Sequence, residues 1–148
     1  MKRIATSLIT ILMIVAIGCT KSSKSTQDDI SILQAIEIGA LVTGSERLTA
    51  PLVAVYDVNG ALVGSVVGWD ATSAEQVEHL LESKGQGSTL DKTLAVVGVE
   101  RSKKGTPTIL TISLGQVCEP CSDMEKEISN QDDEVNIVQL SVNTQNRQ

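Results

Sequence analysis

Cys118-Glu119-Pro120-Cys121 fixes the local structure of this chain more tightly than any other stretch. A β-branched apolar run, Thr106 to Leu114, leads into it, and an amphipathic run, Pro120 to Ser129, leads out. Pro120 suits a first helical turn, because it fixes φ and gives up no needed donor. The pair therefore belongs at a strand-to-helix junction. Two thiols at this spacing form a minimal dithiol–disulfide device. On a redox reading Cys118 is the nucleophile, at a helix N-terminus where the dipole and free N–H groups favour a thiolate. Cys121, one turn in, resolves the mixed disulfide. Two other readings compete. A static disulfide is disfavoured because so small a loop restricts the unfolded chain little. Zinc would need two more ligands, and the only histidine, His79, falls on the polar side of a predicted helix, so no metal or cofactor is expected.

The N-terminus reads as a targeting signal. Met1-Lys2-Arg3 is basic, and Ile4 to Gly18 is uncharged and mostly apolar. Spanning a bilayer takes about 20 such residues, so the run fits a secretory signal better than a transmembrane helix. It ends in Ala16-Ile17-Gly18-Cys19, which resembles the bacterial lipobox, with Ala16 where Leu is usual. The resemblance implies cleavage before Cys19 and diacyl or triacyl anchoring on it. Thr20 rather than Asp follows, which under the sorting rule of enteric bacteria implies the outer membrane, facing the periplasm. The other readings are an ordinary cleaved signal and an uncleaved anchor.

Loss of residues 1–18 leaves 130 of 148 residues, enough for one domain, and takes the formal charge from −6 to −8 with Lys2 and Arg3. An acidic chain without a long basic run argues against nucleic acid and against electrostatic binding to anionic lipid. Lipidation of Cys19 would leave Cys118 and Cys121 as an isolated pair in an oxidising compartment. The chain is 41% hydrophobic but has no Phe, one Trp and one Tyr, so its core must be built from Val, Leu, Ile and Ala.

Residues 19–27 read as a lipidated polar tether, residues 28–142 as the domain, and residues 143–148 as a tail. Ile30, Leu33, Ile36 and Ala40 follow a helical stripe, with Asp28 and Asp29 as caps. Leu52 to Val58 and Ala61 to Gly68 flank Asn59-Gly60, a strong hairpin signal. Ser73 to Gln76 has capping-box spacing, and Ala74, Val77, Leu80 and Leu81 form one helical face. Gly85 to Ser88 is a linker. Thr93 to Glu100 and Thr106 to Leu114 read as strands around Ser102 to Gly105, with Pro107 at the start of the second. Val135 to Val142 is a last strand. Strands alternating with helices imply a layered α/β fold with a largely buried sheet.

Lys104-Gly105-Thr106-Pro107, the strand after it and C-E-P-C-S-D-M-E-K-E-I together resemble the active-site half of a thioredoxin-like protein. Thr49-Ala50-Pro51 and the hairpin after it resemble the other half, where a cis-proline opens the hairpin. The implied fold is a sandwich with a central mixed sheet flanked by helices. The order is reversed, since in ordinary thioredoxins the cysteines precede the proline. Either the domain is circularly permuted, with Asp28–Ser83 supplying the later half, or the cysteines belong to another small α/β fold and the hairpin match is coincidental.

The resemblance implies exchange with the thiols or disulfides of exported proteins. Pro51, beside the cysteines, would present backbone to a substrate peptide; the plainer reading is a strand-start proline. The chain departs from the family at Val117, where an aromatic residue is usual, and Glu119 and Asp123 oppose ionisation of Cys118. That favours a reductant or modest exchanger over a strong oxidant. The alternative is a non-catalytic envelope lipoprotein module with a structural disulfide.

Overall fold

The computed structural model describes residues 25–101, 103–131 and 133–144. The expectations for the signal segment, Cys19, the tether before Ser25 and the end of the tail lie outside the described residues.

The first strand, β1 (Ser25–Ile30), begins inside the stretch expected to be tether. Its residues are polar except Ile30. They are extended because β5 (Asn136–Val142) offers a parallel edge, with Ser25 opposite Ile137 and Ile30 opposite Val142. Asp28 and Asp29 therefore lie in a strand and cap nothing. The helix that follows, α1 (Ile32–Thr43), is capped by Ser31, whose Oγ accepts from the Gln34 N–H while Gln34 Oε1 accepts from the Ser31 N–H. That reciprocal pair is a capping box.

The expected hairpin is present as β2 (Leu52–Tyr56) and β3 (Leu62–Val67). Gly60 supplies the positive φ, 78°, that its turn requires. The turn is held from below by Asp57, whose Oδ1 accepts from the N–H groups of Asn59 and Ala61, each at 2.9 Å. Its Oδ2 accepts from the Gly85 N–H at 2.9 Å and so ties down the linker.

Helix α2 (Ser73–Leu81) starts differently from the capping-box expectation. Thr72 is the N-cap, and Ser73 is buried with its Oγ accepting from the Asp70 N–H. A larger correction concerns Thr93 to Glu100, expected as a strand. Leu90–Val97 is helix α3, with Leu90, Thr93 and Leu94 buried and Gly98 closing it in the left-handed region at φ 71°. Spacing i, i+3, i+4 outweighs the β-branched composition because that face packs on the sheet. The hairpin expected around Ser102 to Gly105 is therefore a helix-to-strand connection.

The remaining elements follow the expectation: β4 (Thr108–Ser113) after Pro107, α4 (Glu119–Ser129), and β5. The described strands form one mixed sheet in the order β1-β5-β4-β2-β3. β1, β5 and β4 are parallel, and β2 is antiparallel to both β4 and β3. This is the layered α/β architecture that the alternation of elements implies, and its sheet is mixed. One face packs Leu52, Ala54, Tyr56, Leu110 and Ile112 with Ile38 of α1 and Leu94 of α3. The other packs Val53, Val55 and Ile109 with Val77 of α2 and Met124 and Ile128 of α4. Aliphatic side chains thus build both cores, and burying one such side chain fully is worth roughly 1.5–3 kcal/mol. Tyr56 is the one aromatic residue wholly inside, its hydroxyl 2.9 Å from Thr93 Oγ1.

Candidate functional site

Three parallel strands deliver their C-terminal ends to one end of the sheet, and the cysteines lie just beyond. After Ser113 the chain turns through Gly115, at φ 71°, into a short 3-10 turn over Gly115–Val117, then enters α4. Cys118 is the N-cap of that helix. Its carbonyl accepts from the N–H groups of Cys121 and Ser122 at 3.1 and 3.2 Å. Pro120 occupies the first turn, where a missing N–H costs nothing.

Cys118 and Cys121 form a disulfide with an S–S distance of 2.02 Å. The two sulfur positions are unlike. Cys121 is 0% exposed, packed beneath the helix, whereas Cys118 is half-buried. Cys118 Sγ also accepts from the Cys121 N–H at 3.3 Å, a second contact that caps the helix. Of the two cysteines, Cys118 is therefore the one with surface open to solvent. The adjoining surface is bare: Val117 is 85% exposed, and Glu119 and Pro120 are exposed.

Pro51 lies at the same end of the sheet. β2 pairs antiparallel with β4, Leu52 facing Ile112, so the residue before Leu52 falls opposite the end of β4 from which the cysteine turn departs. The Ala50–Pro51 peptide is cis, Pro51 is buried, and its carbonyl accepts from the Gly68 N–H at 2.9 Å. The fold therefore brings Cys118, Cys121, Pro120 and Pro51 to one end. His79 stands exposed on α2, and no group of three or more His, Cys, Asp or Glu residues able to hold a metal occurs among the described residues. Trp69 packs on the sheet face beneath α2 and α4, as its place at the hairpin exit suggests.

Sequence reading missed a polar knot under the disulfide helix. Ser113, 1% exposed, donates to Glu125 Oε1 at 2.6 Å, and Ser141 Oγ lies 3.4 Å from Ser113 Oγ. The available signal was a serine closing the strand before the cysteines and a glutamate four residues after Cys121. Among the described residues no helix is long and apolar enough to cross a membrane. No protein-family model, curated protein or solved structure matches this chain.

Proposed function

We propose that this protein is a lipid-anchored, periplasm-facing thiol–disulfide exchange protein with a circularly permuted thioredoxin-like domain, held at the outer membrane through Cys19. The observation that carries the reading is the asymmetry of the pair: a half-buried Cys118 at a helix N-terminus, bonded to a wholly buried Cys121. The strand order supports the permutation. β4, α4 and β5 supply the half that comes first in ordinary thioredoxins, and α1, β2, β3 and α2 the half that comes last, in one sheet.

In the reducing direction, the Cys118 thiolate attacks one sulfur of a partner disulfide and releases a partner thiolate, leaving a mixed disulfide. Cys121 then gives up its proton and attacks Cys118 Sγ, expelling the second partner thiolate. The partner gains two electrons and two protons, one from Cys121 and one from the solvent to which Cys118 lost its own, and the Cys118–Cys121 disulfide forms. A dithiol protein must then reduce that disulfide to close the cycle. In this reading Pro120, exposed two residues after Cys118, and Pro51, at the same end of the sheet, contact the partner chain.

A second reading, a non-catalytic envelope module, has its own support: Cys118 Sγ caps α4 while Cys121 is part of the core, so the bond also staples the helix start. Equilibration in graded glutathione buffers, with trapped thiols counted by mass spectrometry, separates the two. A reversible two-electron transition between about −270 and −120 mV supports exchange. A pair that resists reduction, or a domain that unfolds on reduction, leaves the staple.

A further inference from the structure

The parallel strands give the domain a direction. Ser25, Thr108 and Asn136 open β1, β4 and β5 at one end, while Ile30, Ser113 and Val142 close them at the other. The cysteines follow Ser113, so the disulfide and the entry of the N-terminal segment lie at opposite ends of the sheet. Cys19 precedes Ser25 by six residues, a reach of at most about 20 Å fully extended. β1 itself climbs about 17 Å from Ser25 to Ile30. To lower the disulfide onto a bilayer, the connection would have to run taut alongside the whole sheet.

Beside the disulfide, Val117 is 85% exposed and Pro120 is exposed, next to the exposed carboxylates of Glu119 and Asp123. The opposite end presents exposed Glu100, Lys103, Lys104, Asp133 and Glu134, with Val58 its exposed large apolar side chain among the described residues. We infer that the disulfide faces away from the anchoring membrane and that its partner is a soluble exported polypeptide carrying apolar residues beside its cysteine. This rests on the anchoring and exchange proposed above. The short connection sets the Ser25 end toward the headgroups, and Val117 beside Cys118 is left to a protein approaching from the aqueous side.

The test uses the full-length lipidated protein in vesicles of phosphatidylethanolamine and phosphatidylglycerol with a nitroxide on the headgroup. One fluorophore is placed on Cys118 in a Cys121→Ser variant, another on Lys104→Cys with Cys118 and Cys121 both changed to Ser. The Lys104 position should be quenched several-fold more strongly. Inserting about 20 Gly/Ser residues between Ser22 and Ser23, a span of about 25 Å, should erase the difference. Equal or stronger quenching at Cys118 without the insertion overturns the orientation and places Val117 on the lipid. A protein that does not sediment with vesicles overturns the anchoring, and the orientation with it. For the partner, Val117→Ser should slow reduction of a cystine peptide flanked by Leu and Val about fivefold, and of one flanked by Gly and Ser little. Equal slowing of both peptides overturns the apolar partner.

Discussion

Ser113 Oγ donates to Glu125 Oε1 at 2.6 Å, locking the last residue of β4 to α4 one turn beyond Cys121. The bond spans the strand-to-helix junction on which the disulfide sits. Ser113→Ala should lower stability by about 1.5–3 kcal/mol, the range for a hydrogen bond to a charged group. Urea unfolding followed by circular dichroism measures it, and a loss under about 0.5 kcal/mol would show that the contact is incidental.

The burial difference between the cysteines predicts unequal chemistry. In the reduced protein at pH 7, iodoacetamide should modify Cys118 at least about tenfold faster than Cys121, since reactivity follows thiolate character and access. Glu119→Gln, which removes a negative charge next to Cys118, should raise that rate. Equal rates at both sulfurs would remove the assignment of attacking and resolving roles.

Asp57 gives the fold an acid-sensitive joint. Desolvation pushes its carboxyl upward, but N–H groups of Ala61, Gly85 and Asn59 outweigh it and, with the charge of Arg101, hold the carboxyl below its ordinary range. The folded protein therefore binds this proton less readily than the unfolded chain. Its stabilisation is complete above the unfolded value of about 3.9 and fades as pH falls through the lower folded value. Asp57→Asn should reduce the melting temperature at pH 7, with the gap to the parent narrowing toward pH 2. A gap that stays constant with pH would assign the loss to geometry alone.

The buried pair of Tyr56 and Thr93 should be non-additive. Either Tyr56→Phe or Thr93→Val leaves one hydroxyl in the core without its 2.9 Å partner, costing about 1–3 kcal/mol. The double variant should lose less than the sum of the two, and a denaturation cycle over the four proteins reads the coupling. Burial also raises the Tyr56 phenol above its ordinary value, with the Thr93 bond acting the other way. Tyr56→Phe should therefore weaken the loss of stability that sets in as pH rises past about 10.

How far the sequence could be read depended on whether local pattern or distant packing decides the state of each residue. The hairpin around Asn59-Gly60, the strand into Cys118 and the Met124, Ile128 face of α4 carry their signals within a few residues. Thr93 to Val97 misleads because a β-branched run is helical once Leu90 and Leu94 reach the core. β1 is beyond any local rule: Thr-Gln-Asp-Asp is extended because an edge more than a hundred residues later receives it. The cysteines were legible at the site, whereas Ser113 and Glu125, twelve residues apart, look ordinary until the strand and helix meet.

That pairing of first strand with last has a kinetic side. Ser25 finds Ile137, 112 positions downstream, so the sheet closes by joining nearly the two extremes of the domain. Contacts of such long range cost loop-closure entropy before they return any stabilisation. In a chain delivered N-terminus first, β1 emerges earliest and waits longest, with no edge to dock on until β5 has emerged. The last seven-residue strand is thus the latch for the whole molecule, and a chain cut short before Asn136 keeps its opening strand unpaired.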